Sequence, residues 1–321
     1  MLRSLYSGVS GMKSFQTKMD VIANNIANVN TTAFKSSRAR FQDMLSQTLA
    51  SAQGPGNNLG GVNPRQVGLG VRVGSIDAMM ENGALQPTNR ELDFAIEGNG
   101  FFAVSSVFGG DVTESINTRV PQQILYTRDG GFFRDSGGNL VNGNGERILG
   151  YYPETKVVDE DSNDDPFGTT LDEISVADDL RALVIPDKVD VDGDAADDGD
   201  FDLQSYTIDG SGTIIGVYAS EDEVNTVVLG RIAITTFSTP EGLEKRGNNN
   251  FEASNNSGAP EYGSAGDAGF GMVRQGFLEM SNVDLANEFT EMVIASRAYS
   301  ANSRSITTSD EMLQELINLK R

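Results

Sequence analysis

Three aspartates at alternating positions come nearest to a chemical site in this sequence. Asp190, Asp192 and Asp194 have the spacing that opens a calcium-binding loop, in which carboxylate oxygens surround the ion. That loop requires a glycine next and a glutamate at its twelfth position, but residue 195 is alanine and no glutamate follows at the twelfth position. The pattern therefore favours a solvated acidic loop, and we assign no metal ligand here.

Catalytic chemistry finds little support elsewhere. The chain has no cysteine and no histidine, which excludes thiol nucleophiles, disulfides, thiolate metal sites and histidine-based triads. The glycine pairs at 68–70 and 98–100 are too short for a dinucleotide fingerprint, and no βαβ pattern surrounds them. We predict that the protein is not an enzyme and uses no cofactor. A metal-dependent enzyme built on the Asp-rich loop is an outside alternative.

Net charge limits the partners. The 321 residues carry 46 acidic and 24 basic side chains, a formal charge of −22. Nucleic acids and anionic membrane surfaces require basic patches, so neither is expected to bind. No apolar run approaches the roughly 18–20 residues of a membrane-spanning helix. Small and polar residues near the N-terminus break any Sec-type signal, so we expect that export, if it occurs, uses no cleaved signal.

The two chain ends carry apolar residues at a spacing of three and four, which predicts long amphipathic helices. Near the C-terminus, Ser281 and Asp284 favour a capped helix start. Two helices alone bury little surface, so we expect their apolar stripes to contact other chains. The predicted seam positions are Leu2, Leu5, Val9, Met12, Met19 and Ile26 at the first end, and Leu285, Phe289, Met292, Tyr299, Ile306, Leu313 and Ile317 at the second.

Smaller residues accompany the first stripe. Ser4, Gly8 and Gly11 form a strip that permits close approach of another helix. An asparagine cluster follows at Asn24, Asn25, Asn28 and Asn30. Asparagine disfavours helix interiors, so the cluster fits either a fraying helix end or polar contacts that set the register between subunits. The residues alone do not decide between these two interpretations.

The middle of the chain is β-rich. Glycine- and asparagine-containing turns, among them those at 98–100 and 209–210, separate short apolar strands, which predicts an antiparallel β domain. We predict an α+β fold with long terminal helices that pair as a coiled coil. The expected division is a helical domain (1–30 and 280–321), an extended connector (31–75 with 270–279), a β domain (76–156 and 201–269) and an acidic insertion (157–200). The insertion has 16 acidic and 2 basic residues, a net charge of 2 − 16 = −14.

Two long motifs at opposite ends resemble a known family. Residues 19–35, which read MDVIANNIANVNTTAFK, and residues 278–294, which read LEMSNVDLANEFTEMVI, are similar to the terminal signatures of bacterial flagellar rod and hook proteins. The likeness continues through 298–304 and 310–316. It covers residues 1–155 and about 201–321. Long hook proteins carry an outer β domain where this chain has only residues 157–200, so the chain resembles a short member with a reduced outer domain.

Within the family, residues 7–11, 37–47 and 66–76 resemble hook subunits, while residues 93–102 are equally similar to distal rod subunits. The resemblance implies a self-assembling structural protein of the flagellum, exported through the type III apparatus, that forms the hook, the flexible joint between motor and filament. The implied partners are copies of the same chain in a helical tube, rod proteins, and hook cap and hook–filament junction proteins. The alternatives are a distal rod subunit and, outside the family, a secreted β-rich binding module.

Overall fold

The computed structural model describes residues 2–55, 60–108, 121–152, 180–189, 201–219 and 224–319. Close contacts divide the chain into two compact units. The first unit combines both chain ends with a nearby segment: Met1–Asn30, Lys35–Met79 and Val283–Arg321. The second unit comprises Thr31–Phe34 and Met80–Asn282. Distant parts of the sequence therefore meet in each unit.

Two long helices belong to the first unit. Helix α1 spans Leu2–Ala27 and helix α2 spans Leu285–Asn318. Helix α2 begins at the predicted cap, because the Asp284 carboxylate accepts hydrogen bonds from the backbone N–H groups of Ala286 and Asn287 at 2.9 and 3.4 Å. Such a cap satisfies two donors that have no partner inside the helix. Helix α1 ends three residues before the predicted end at Asn30.

Two small sheets complete the first unit. Strands β1 (Ser37–Asp43) and β4 (Val71–Ala78) pair with each other, as do β2 (Ser46–Ala50) and β3 (Arg65–Gly68). The edge-on contact between the rings of Phe15 and Phe41, with centroids 5.4 Å apart, packs α1 against β1. Strands β1, β2 and β3 and the first part of β4 lie in the stretch predicted to be an extended connector (31–75), so much of that stretch is paired strand.

The second unit is built from short strands. They are β5 (Leu85–Pro87), β6 (Phe94–Glu97), β7 (Phe101–Phe108), β8 (Pro121–Thr127), β9 (Phe132–Arg134), β10 (Leu140–Asn142), β11 (Arg147–Tyr151), β12 (Arg181–Ala182), β13 (Lys188–Val189), β14 (Phe201–Ile208), β15 (Thr213–Ala219), β16 (Val224–Thr236), β17 (Glu244–Gly247), β18 (Asn250–Glu252), β19 (Glu261–Ser264), β20 (Met272–Gln275) and β21 (Phe277–Glu279). A 3₁₀ turn, Pro240–Gly242, precedes β17.

Thirteen of these strands form one antiparallel sheet, whose main path runs β13-β14-β15-β16-β11-β7-β8-β18-β17. Off this path, β10 and β12 pair with β11, β19 pairs with β16, and β9 pairs with β10. Strands β14 and β15 form the hairpin that the turn at 209–210 predicts. Strands β6 and β7 flank the turn at 98–100 as predicted, but they do not pair with each other. Strand β6 pairs with β20, and β7 pairs with β8, β11 and β16.

Aromatic and aliphatic side chains on these strands form the core of the second unit. Phe94, Phe102 and Phe132 are fully buried, and the rings of Phe102 and Phe132 meet edge-on at 5.5 Å. Leu183 and Ile185 are also fully buried in this core. These two residues lie within the stretch 157–200 that we predict to be an acidic insertion, so part of that stretch packs into the core. Residues 153–179 and 190–200, including Asp190, Asp192 and Asp194, lie outside the described residues.

The fold class is α+β, with two terminal helices and antiparallel sheets, as predicted. Every strand pair of the described residues is antiparallel. A coiled coil between the helices is a narrower claim than helix packing, since it requires a supercoiled seam. It stays a prediction.

Candidate assembly interface

The two terminal helices pack against each other in opposite directions. Near the start of α1, the Ser4 hydroxyl lies 3.2 Å from the hydroxyl of Ser309 near the end of α2. Further along α1, the Lys18 ammonium pairs with the Glu291 carboxylate near the start of α2, at 2.5 Å. The pairing is therefore antiparallel and extends over most of both helices.

Small side chains let the helices approach closely. A Cβ atom added at Gly8 would lie 3.0 Å from Cγ1 of Ile306, and one added at Gly11 would lie 2.9 Å from Nδ2 of Asn302. The glycines of the predicted small-residue strip therefore face α2 of the same chain. The strip serves intramolecular packing, at the entropic cost that glycine carries within a helix.

Asn25 fastens the end of α1 to the rest of the first unit. Its side chain is buried, accepts a hydrogen bond from the backbone N–H of Ser37 at 3.0 Å and donates to the carbonyl of Ser37 at 2.9 Å. The same Nδ2 donates to Oε1 of Glu288 on α2 at 2.9 Å. One amide thus joins α1, the first residue of β1 and α2.

The carboxyl group of Glu288 is electrostatically unfavourable in this position. Burial raises the pKa of Glu288 above its ordinary value, and the nearby Glu291 carboxylate adds to that effect. The hydrogen bond from Asn25 and the charge of Lys18 oppose it. The ionised form is therefore less favoured in the folded unit than in water.

Two other asparagines act locally at the end of α1. The side-chain amide of Asn28 donates to the backbone carbonyl and to the side-chain oxygen of Asn24, at 2.9 and 2.8 Å. Asn24 is exposed, and Asn28 is half-buried. The sequence left open whether this cluster frays or binds another chain. The structure adds intramolecular partners, and a contact with another subunit stays a prediction for Asn24, Asn25 and Asn28.

The predicted seam residues fall into two groups. One group is half-buried: Leu5, Met12, Met19, Ile26, Met292, Ile306 and Leu313. The other group is exposed: Val9, Leu285, Phe289, Tyr299 and Ile317. The side chain of Leu2 lies outside the described residues. The first group includes Ile306, which faces α1, whereas the second leaves large apolar surface uncovered. Whether the exposed group contacts neighbouring subunits is untested, and that role stays a prediction.

Further apolar side chains are exposed off the predicted seam. Tyr6 is 72% exposed, Val293 53%, Ile294 51% and Met312 45%. They were not among the predicted interface residues, because the prediction rests on a single stripe along each helix. Their apolar character next to that stripe was the available signal, since it makes the apolar face broader than one seam.

The described residues form neither a metal site nor a membrane-spanning helix. Within the described ranges, no group of three or more acidic, histidine or cysteine side chains is placed to hold a metal ion. None of the described helices combines the length and apolar character needed to span a membrane.

A helix pair that exposes large apolar side chains, in a chain that also forms an antiparallel β unit, is typical of a self-associating structural protein. Family models agree along the chain. "Flagella basal body rod protein" matches residues 5–35, "Flagellar hook protein FlgE/F/G D1 domain" residues 95–216 and "Flagellar basal body rod FlgEFG protein C-terminal" residues 274–319. The chain belongs to the family of flagellar hook and basal-body rod proteins, which confirms the predicted resemblance.

Relatives across the full chain support this assignment. The flagellar basal-body rod protein FlgG of Bacillus subtilis is 43% identical over 322 residues. The flagellar hook protein FlgE of Borreliella burgdorferi is 31% identical over 458 residues, and the rod protein FlgG of the same organism is 34% identical over 323. Each alignment covers all of both chains. These relatives are structural proteins of the flagellum, so the chain is a flagellar structural protein and the prediction of a non-enzyme is confirmed.

Proposed function

We propose that the chain is the subunit of the flagellar hook and that it self-assembles through its terminal helices. The choice of hook rests on the number of positions identical to the hook protein and to the rod protein of one organism, Borreliella burgdorferi. Against the Borreliella burgdorferi hook protein, 31% of 458 positions is about 142 identities. Against the rod protein of that organism, 34% of 323 positions is about 110. Comparison within one organism favours the hook.

The distal rod is the second candidate, and a specific observation supports it. The Bacillus subtilis rod protein is 43% identical over 322 positions, which is about 138 identities with almost no difference between alignment and chain length. The hook alignment has 458 − 321 = 137 more positions than this chain has residues. If the chain is a rod subunit, its length of 321 residues needs no further explanation, since the alignment with the rod protein has 322 positions. A hook subunit requires the short form with a reduced outer domain that the sequence predicts.

The exposed apolar residues of the helices support self-assembly. Phe289 is 52% exposed and Ile317 is 68% exposed, although both belong to the stripe that predicts helix contacts. Covering such side chains is favourable by about 25 cal/mol per Å² of apolar area removed from water. Neighbouring copies in a helical tube would cover them.

The proposed partners follow from this function. They are copies of the same chain, the rod proteins below, and the hook cap and hook–filament junction proteins above. Export through the type III apparatus precedes assembly. The half-buried seam residues hold the helix pair together, and the exposed ones contact neighbouring copies.

Deletion of the gene separates hook from rod. Basal bodies are isolated from the deletion strain and from the complemented strain and are examined by electron microscopy. For a hook subunit we expect rods of full length with no hooks. Rods that end early would assign the chain to the distal rod. Hooks and rods of normal form in the deletion strain would contradict both assignments.

A further inference from the structure

A groove of about 410 Å³ lies in the first unit, between the first half of α1 and the segment that follows β1 and β3. Its lining residues are Arg3, Tyr6, Val9, Lys13, Met44 and Leu69. Ser10 also lines the groove, whose surface is mostly apolar with two cationic side chains, Arg3 and Lys13. Tyr6 is 72% exposed, Val9 39% and Met44 40%. The apolar side chains of the groove are therefore accessible to another molecule.

The backbone holds the two walls of this groove close together. The hydroxyl of Ser10 on α1 accepts a hydrogen bond from the backbone N–H of Val71 at 3.4 Å, and the N–H of Met44 donates to the carbonyl of Gly70 at 2.8 Å. Gly70 has φ +122°, and a Cβ atom there would lie 2.2 Å from Oγ of Ser10. Only glycine permits this approach, so the groove is a formed feature of the folded unit.

The groove lies on the face of α1 that points away from α2. Ser4 and Gly8 face α2, and Tyr6 and Lys13 lie about half a turn from that direction. Arg3 and Lys13 are exposed, and neither has an ion-pair partner in the described part of the chain. The face therefore combines apolar side chains with two unpaired cations.

The opposite side of the same helix pair has the complementary character. Ser309 faces α1, so Glu311 and Glu315 lie on the side of α2 turned away from α1. Both carboxylates are exposed and have no ion-pair partner among the described residues. Beside them, Met312 is 45% exposed and Leu319 is 82% exposed. The carboxylates of Glu311 and Glu315 have the opposite charge to Arg3 and Lys13 of the groove.

We infer that the groove on α1 of one copy receives the last two turns of α2 of a second copy. Met312 would contact the apolar side chains of the groove, while Glu311 and Glu315 would meet Arg3 and Lys13. The two complementary surfaces lie on different sides of one unit, so each copy offers a groove to one neighbour and an α2 end to another. Such a head-to-tail contact repeats without closing on itself and builds a helical polymer. The inference rests on the proposed self-assembly and names the contact that drives it.

The absence of natural cysteine makes a disulfide test direct. Full-length Tyr6→Cys is mixed with full-length Met312→Cys, the mixture is assembled, and it is oxidised before non-reducing electrophoresis. We expect covalent dimers. The matched control mixes Tyr6→Cys with Val293→Cys, which is 53% exposed on the same helix but about 28 Å away, since 312 − 293 = 19 residues at about 1.5 Å each. The control mixture should give no dimer.

Charge reversal tests the same contact without cysteine. Lys13→Glu should raise the protein concentration required for polymer formation by about tenfold, because like charges then face each other across the interface. Adding Glu315→Lys to that variant should restore assembly, which loss of folding alone would not allow. Polymer is measured by sedimentation and electron microscopy.

The outcomes separate this inference from the proposed function. Polymers that form normally but link Tyr6→Cys to Val293→Cys, or to neither partner, overturn the groove contact and leave self-assembly intact. In that case another segment of a second copy, or another protein, fills the groove. Absence of polymer from the unmodified chain would contradict self-assembly itself and the inference with it.

Discussion

A buried ion pair in the second unit shows how single residues determine its stability. The side chains of Arg128 and Glu279 are 3% and 0% exposed, and their charged atoms lie 3.2 Å apart. The guanidinium also donates to the carbonyl of Gly98 at 2.7 Å, and the carboxylate accepts from the backbone N–H of Gly83 at 2.8 Å. Strands and loops far apart in sequence are thus joined by one pair of charges.

Arg128→Met should therefore destabilise the second unit strongly. The substitution removes a buried positive charge that contacts the carboxylate of Glu279, and breaking a buried ion pair costs about 3–5 kcal/mol. Chemical denaturation measures the free energy of unfolding. The control is Arg274→Met, which breaks an exposed pair with Glu97 whose side chains are both 52% exposed. That change should cost less than about 1 kcal/mol. Equal losses in the two variants would refute the argument.

At the scale of elements, the pairing of α1 and α2 should depend on pH through Glu288. Its pKa is raised mainly by burial, so the folded unit favours the protonated carboxyl. The stabilising contribution is full below the ordinary pKa of about 4.3 and is lost as pH rises through the raised value. Glu288→Gln keeps an oxygen that accepts from Asn25 but cannot ionise. We expect it to flatten this pH dependence and to stabilise the helix pair at neutral pH.

Thermal melting followed by circular dichroism, at several values between about pH 4 and about pH 7, measures this effect. Asp20→Asn is the control, because it removes an exposed carboxylate from α1 without touching the contact between the helices. A pH dependence that is the same in Glu288→Gln and in the unmodified chain would exclude Glu288 as its source.

Substitutions in α2 should also separate the two groups of seam residues. Leu313 is half-buried, so Leu313→Asp should loosen the helix pair of the monomer. Phe289 is 52% exposed, so Phe289→Asp should leave the monomer intact while blocking assembly. Hydrogen exchange of the α2 amides reports on the first effect, and sedimentation of polymer reports on the second. Normal polymer from Phe289→Asp would remove that residue from the interface.

The sequence predicted the helices and their cap well but not the rotation of α2 about its axis. Spacing of large apolar residues identifies a stripe, and stripes normally face a partner helix. Here α1 presents Gly8 and Gly11 at the contact, so Asn302 and Ser309 of α2 approach it, and Phe289 stays outside. Which partner face a stripe meets depends on residues more than two hundred positions away, and a local pattern cannot contain that information.

The β region shows the same limit. The positions of glycine and asparagine predict where strands change direction. The hairpin of β14 and β15, for example, follows from its turn. The partners of β6 and β7 cannot be predicted from the turn between them, because β6 pairs with β20, which is far away in the sequence. The core residues Leu183 and Ile185 were not predicted, because the total charge of residues 157–200 does not reveal a short apolar segment within them.

At the scale of the whole molecule, the helices are poorly supported in a single chain. In the described part of α1 and α2, the only buried apolar side chains are Ile22 and Ala295, at 4% and 0% exposure. Isolated helices gain most of their stability from packing of an apolar face, and here much of that face is open to water. The described strands of the second unit, in contrast, bury three clusters of apolar side chains.

Helix content should therefore rise when the chain assembles. In dilute monomer the helix pair is expected to open easily, and neighbouring copies should stabilise it by covering Phe289 and the other exposed apolar residues. The far-ultraviolet circular dichroism of monomer and polymer is compared at equal chain concentration. Phe289→Asp, held as a monomer at the same concentration, serves as the control and should show no rise. An identical helical signal in monomer and polymer would mean that the helix pair is stable alone, and coupling between folding and assembly would then be wrong for this chain.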